Sequence, residues 1–148
     1  MSPTRAFRVV ATAEAVTWAG LLSGMFLKYV TETTELGVRV FGMLHGVVFI
    51  GYCVTTLVVA VDRRWTLGRT ALGLVSAVPP FMTVWFDRHV ERRGGLAPAW
   101  RLASDRPTSA VERPVAWLLR NPARGLAAAM VAVLALTGVA LLVGPPAS

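Results

Sequence analysis

Charge is scarce in this sequence, and thiols are nearly absent. Only 16% of its 148 residues are Asp, Glu, Lys or Arg, where soluble domains carry about 25%. A chain so poor in charge and 55% hydrophobic is neither an ordinary soluble globule nor a disordered segment, which lacks the apolar content. The single cysteine, Cys53, excludes an internal disulfide and any site built from several thiolates. Acidic residues number 8 against 15 basic ones, a net charge of +7, and Lys28 is the only lysine. No Cys-x-x-Cys-His is present, and the two histidines, His45 and His89, do not have the i, i+4 spacing of a metal pair. What is abundant is apolar sequence, with a mean hydropathy of +0.58. The class that remains is a small integral membrane protein.

A crossing helix needs about 20 mostly apolar residues, because ~30 Å of hydrocarbon is covered at 1.5 Å per residue. Four stretches meet or nearly meet this. The first covers 9–27 and is closed by Lys28-Tyr29. The second covers 40–61, and the third runs from 70 to 86, opened by Trp65 and interrupted by Pro79-Pro80. The fourth covers 126–143 and is stopped by Gly144-Pro145-Pro146. The runs are continuous rather than alternating, so helices and not barrel strands are expected. The predicted fold is all-α, a polytopic bundle of four transmembrane helices at about 9–28, 40–61, 68–86 and 125–143. Arg5 and Arg8 could serve as the basic region of a cleaved signal peptide. Glu14 interrupts the apolar run that would follow, and no small-residue cleavage site is evident, so retention is expected.

The connections differ in character. The first, 30–37, is short and holds Glu32 and Glu35; the second is the tight turn Asp62-Arg63-Arg64-Trp65. The third, 87–124, is long and carries eight arginines, with Gly94-Gly95 and Pro107-Thr108-Ser109 marking it as linker-like. Within it, 111–120 reads either as a short interfacial helix dipping Trp117, Leu118 and Leu119 into the headgroups or as an irregular Pro-broken loop. Four crossings place Arg5, Arg8, Arg63, Arg64 and Arg69 on one side, and Lys28, Arg39 and the eight arginines on the other. That tally of ten against five conflicts with the basic N-terminus and the tight Arg pair, so orientation stays open. A re-entrant third segment would put the long connection on the Arg-pair side and relieve most of the conflict.

Two ionisable residues stand inside apolar runs, where they are costly unless paired, protonated or wet. Glu14 lies about six residues, or ~9 Å, into the first run. It reads either as a structural carboxylate with Arg69 as natural partner or as a proton- or ion-carrying group. His45, in Gly42-Met43-Leu44-His45-Gly46, enters from the opposite side. The helical rise puts the two roughly 12 Å apart in depth, too far for direct contact but bridged by Thr17 or a few waters. Lys28, Tyr29 and Asp87 fall on the His45 side under four crossings. A proton relay from Glu14 to His45 is one reading, and hydrogen bonding of His45 to a neighbouring helix the other. His45 is also the one candidate axial ligand for a haem, with Met43 and Cys53 on the same run. No metal set and no cofactor is expected.

Small residues give the stronger signal. Ala11, Ala15, Ala19 and Ser23 recur at steps of four, with Gly20 and Gly24 on an adjoining line, and Gly42 and Gly46 repeat the spacing in the second run. Such rows let helices approach closely in lipid, within one chain or between copies. Pro79 and Pro80 remove two amide donors near the middle of the third run and predict a kink there.

These residues also carry a resemblance. Phe7-Arg8-Val9, Glu14-Ala15 and Leu27-Lys28-Tyr29 resemble the opening of the YdzA-like family of small bacterial membrane proteins. Gly42-Met43-Leu44-His45-Gly46 with Phe49 and Tyr52 is similar to that family's second span, and Trp65, Pro80-Phe81 and Trp85-Phe86-Asp87 to its third. The likeness covers about 5–92 and implies a three-span domain of unknown function, with Glu14, Lys28, Tyr29, His45, Pro80 and Asp87 on its recurrent positions. The chain departs from it by adding the Arg-rich connection, 93–124, and the helix at 125–143.

No nucleophile stands beside a base, so an enzyme is not expected. The function read from the sequence is that of a structural or accessory membrane subunit. The alternatives are an oligomeric proton or small-solute transporter or channel using Glu14 and His45, and a haem or metal binder through His45. The expected partners are anionic lipid headgroups, met by arginines such as Arg92, Arg93, Arg101 and Arg106, and either further copies of the chain or a larger membrane complex; nucleic acid is not expected. The expected location is the plasma membrane of a bacterium, crossed several times. Richness in Ala, Arg and Gly suggests an actinobacterial source.

Overall fold

The computed structural model describes residues 2–144, and every regular element among them is helical. In chain order these are α1 (Pro3–Tyr29), α2 (Leu36–Arg63), α3 (Leu67–Val75), α4 (Met82–Arg92), a 3₁₀ turn (Arg101–Ala103), α5 (Glu112–Arg120) and α6 (Pro122–Val143). The ends have local causes. Ser2 caps α1 by accepting from the Arg5 N–H, and Pro3 fills the first turn, where its missing donor costs nothing. Arg64, left-handed at φ 53°, ends α2, and the Thr66 hydroxyl accepts from the Arg69 N–H to start α3. The Pro145-Pro146 stop lies outside the described residues.

Among the described residues, three helices are long and apolar enough to cross a membrane: α1, α2 and α6. The single helix expected over 68–86 does not form. Neither Pro79 nor Pro80 has an N–H to continue the ladder, and Phe81 turns left-handed at φ 65°. The chain therefore stops at Val75, turns, and restarts at Met82. Pro79 and Pro80 end a helix rather than kink one. The two arms then double back on each other. Trp65 Nε1 donates to Gly95 O at 2.8 Å, joining the feet of the hairpin. Thr4 Oγ1 donates to Ala97 O at 2.9 Å, which sets those feet beside the start of α1. The tip lies along the helix pair, where Trp18 Nε1 reaches Ala77 O at 3.5 Å. Among the described residues, the four membrane-length helices expected become three, with a helical hairpin packed against α1 and α2.

Phe7 is the centre of this packing. Fully buried, it has Tyr52, Trp65 and Phe86 around it at centroid distances of 5.5, 5.9 and 5.8 Å. These rings tie α1, α2 and both ends of the hairpin together through edge and tilted contacts. The Tyr52 hydroxyl reaches Gly73 O at 3.0 Å, and Thr83 Oγ1 donates to Ala11 O at 3.0 Å. Gly73 permits the approach, since a Cβ there would come within 2.9 Å of the Phe86 ring.

On α1 the contact with α2 is made by the adjoining glycine line rather than by the Ala/Ser row. Gly24 faces Gly37 backbone to backbone, and Gly20 receives the Phe41 ring. Steps of four drift about 40° around a helix of 3.6 residues per turn, so the expected row leaves the interface. Ala11 is buried and Ala15 half-buried, but Ala19 and Ser23 are exposed. On α2, a Cβ on Gly46 would meet nothing within 4 Å, and one on Gly42 only Leu21 at 4.0 Å.

The long connection is fastened rather than loose. Buried Asp62 accepts from the Leu102 N–H at 2.8 Å and the Arg101 N–H at 3.2 Å. Arg101 bridges back to Asp62 O at 2.7 Å and onward to Glu112 Oε1 at 2.6 Å. Residues 112–120 are helical, with Pro114 in the first turn where no donor is needed, so a short helix forms here rather than an irregular Pro-broken loop. Gly125 lets α6 press on α5, because a Cβ there would lie 2.2 Å from Leu118 O. Beyond Gly125 the described part of α6 is not buried, leaving most of an apolar helix facing outward.

Candidate functional site

The most unusual local chemistry is in the middle of the α1–α2 pair. Glu14 is wholly buried, and neither carboxyl oxygen makes a hydrogen bond among the described residues. Its Oε1 lies 3.6 Å from His45 Nε2, an ion-pair distance but longer than a hydrogen bond. The direct approach corrects the 12 Å separation expected from counting inward from each run. The hairpin register decides it: with Gly24 against Gly37 and Gly20 against Phe41, Glu14 falls within about one turn of the level of His45.

Thr17 Oγ1 donates to Glu14 O at 3.0 Å and lies 3.0 Å from His45 Nδ1. A hydroxyl has one proton. With that proton on the Glu14 carbonyl, Nδ1 is the donor to Thr17, and a neutral His45 presents a bare Nε2 to the Glu14 carboxyl. A favourable pair then holds one proton between Oε1 and Nε2, either as carboxylic acid with imidazole or as carboxylate with imidazolium. The His45 ring is held by Trp18 at 4.6 Å between centroids and by Phe49 at 6.3 Å. Both ring nitrogens thus face protein oxygens, which leaves none directed at a haem iron. Among the described residues, no group of three or more His, Cys, Asp and Glu is arranged to hold a metal ion.

The other expected polar residues are not part of this site. Arg69, expected beside Glu14, sits at the foot of the hairpin, its guanidinium near Gly95 and far along the bundle from Glu14. Asp87, expected on the His45 side, pairs with Arg8 at 3.1 Å beside the start of α1, because α4 runs back. Glu91 joins the same arginine. Lys28 and Tyr29 lie at the opposite end, the ammonium 5.0 Å from the ring centroid. Pro80 is in the hairpin tip. Reading by residue type found Glu14 and His45, but it missed the Asp62–Arg101–Glu112 knot. An acid at the end of an apolar run and an Arg-rich segment are the only signals for it, and they lie about 40 residues apart.

Comparison with known proteins agrees with the membrane class. A family model described as a domain of unknown function, DUF3817, matches residues 4–92, nearly the stretch that carries the family resemblance. A Streptomyces coelicolor protein whose name describes it as a membrane protein is 57% identical over 93 residues, 62% of this chain but 11% of its own length. The chain thus spans about a ninth of that relative. No solved structure matches. With α1, α2 and the α3–α4 hairpin inside the matched residues, and α5 and α6 beyond them, the chain belongs to the DUF3817 family, a membrane-protein family of unknown function.

Proposed function

We propose that this protein is a non-catalytic, multi-pass subunit of a bacterial plasma membrane that works by docking onto a larger membrane assembly. The observation that carries the reading is the relative's size. There the matching 93 residues are 11% of the chain, so the domain is built into a much larger protein. Outward-facing apolar helices support it, α6 above all. On this reading α1, α2 and α6 cross the bilayer and α3–α4 is a re-entrant hairpin. The basic residues then separate cleanly. Only Lys28 and Arg39 lie at the end of the α1–α2 turn, and the other 13 of the 15 lie at the opposite end. The positive-inside rule makes that end cytoplasmic. The shared motifs around Phe7, His45 and Trp65 further suggest kinship with YdzA-like proteins. Affinity purification in mild detergent from the native host tests the docking. A stoichiometric membrane partner is expected, and a clean, partner-free homo-oligomer would overturn the reading.

The Glu14–His45 contact favours a second reading, an oligomeric carrier of protons. It predicts pH-dependent flux in liposomes that Glu14→Gln or His45→Ala abolishes. Full flux in both variants would remove it.

A further inference from the structure

Between α2, α5 and α6 runs an apolar groove of about 320 Å³ that the docking proposal does not use. Val54 and Val58 of α2 form one wall and Leu126 and Ala129 of α6 the other; Trp100 and Leu119 close the end nearest the arginine-rich connection. We propose that this groove holds one acyl chain of an anionic phospholipid drawn from the leaflet on the arginine side, with its phosphate at the starts of α1 and α6. The inference rests on the reading that α2 and α6 cross the bilayer, with α5 at headgroup level.

Lining and charge choose the occupant. The walls are apolar side chains, which suit a flexible hydrocarbon chain. The rim is positive. Ala6 and Gly125 line the groove, and Arg5 and Arg124 directly precede them in the exposed first turns of α1 and α6. Neither arginine has a carboxylate at ion-pair distance among the described residues, whereas Arg8, Arg64 and Arg101 all do. Both helices also begin at this end, adding the positive ends of their dipoles. An anionic headgroup at these helix starts thus has two guanidiniums without a carboxylate partner, each one residue along the chain from a residue that lines the slot.

The test is native mass spectrometry of the full chain in mild detergent, titrated with phosphatidylglycerol or phosphatidylcholine of identical acyl chains. One phosphatidylglycerol is expected to bind with a preference of roughly thirtyfold, set by two headgroup-level arginines. Ala129→Trp, which fills the slot, is expected to abolish that binding while far-UV circular dichroism keeps the helical spectrum. The exposed pair Arg5→Gln with Arg124→Gln is expected to erase the preference, and it decides the matter if Ala129→Trp does not fold. Equal binding of the two lipids, an unchanged preference in the arginine variant, or a folded Ala129→Trp chain that still binds would each overturn the proposal. Capture of a partner protein by the groove in place of lipid would overturn it too. Side-specific labelling of the connection tests the underlying topology separately, so a failed groove is distinguishable from a failed topology.

Discussion

Adding one methyl group at Gly24 should open the α1–α2 pair. A Cβ there would lie 2.6 Å from the Gly37 carbonyl carbon and 2.7 Å from the Val38 nitrogen. Ordinary contact begins at 3.4 Å, so the helices must part by close to 0.8 Å at this crossing. The obstruction is backbone and no rotamer relieves it. Overpacking of this kind costs about 1–3 kcal/mol. In lipid it acts through lost dispersion contact rather than through hydrophobic burial. Offsetting it, alanine is the better helix former by ~1 kcal/mol, leaving a net loss of about 0–2 kcal/mol. Gly46→Ala is the matched control: it meets nothing within 4 Å and should stabilise by about 0.5–1 kcal/mol. Reversible unfolding in mixed micelles, titrated with denaturing detergent and followed by far-UV circular dichroism, measures both. Gly24→Ala as stable as Gly46→Ala would refute the backbone contact.

Two further outcomes follow from the knot that fastens the connection. Asp62→Ala leaves the Arg101 and Leu102 amides without their acceptor. It should cost about 1–3 kcal/mol per amide left buried and unpaired; faster hydrogen exchange at 101–103 reads it, and unchanged protection would contradict the contact. Glu112 is pulled from the usual 4.5 down to about 2, first by the Thr108 N–H and then by the Arg101 guanidinium. A carboxyl depressed in the folded state stabilises fully above its ordinary value and loses that contribution as pH falls through the folded one. The connection should therefore stay protected at neutral pH and loosen between pH 4.5 and 2. Glu112→Gln should flatten that profile; an identical pH profile in the variant would contradict the assignment.

Helices reported by local pattern were legible in the sequence, and contacts between distant residues were not. Unbroken apolar runs placed α2 and α6 within a few residues. The expected start of α1 at residue 9 came late, because the helix outruns its apolar stretch back to the Ser2-Pro3 cap. The 68–86 run was long enough to cross, and length alone concealed the turn that Pro79-Pro80 and the left-handed Phe81 impose. Glu14 and His45 stood out as ionisable groups in apolar surroundings. Their contact depends on the register of the α1–α2 hairpin, which Gly24 and Gly37 set and residue counts from separate runs do not reveal. The expected Glu14–Arg69 pair failed for a related reason: Arg69 stays at the foot of a hairpin that returns to its own starting level.

Side-specific cysteine labelling tests the proposed three-crossing topology most directly. In a Cys53→Ser background, which removes the one native thiol, single cysteines would replace Ser2, Thr33 and Ser104. A membrane-impermeant maleimide is then applied to intact cells and to inverted vesicles. Three crossings with a re-entrant hairpin predict that positions 2 and 104 label together from the cytoplasmic side and position 33 from outside. Labelling of position 104 together with position 33 would mean that residues 67–92 cross the bilayer, and would contradict the account.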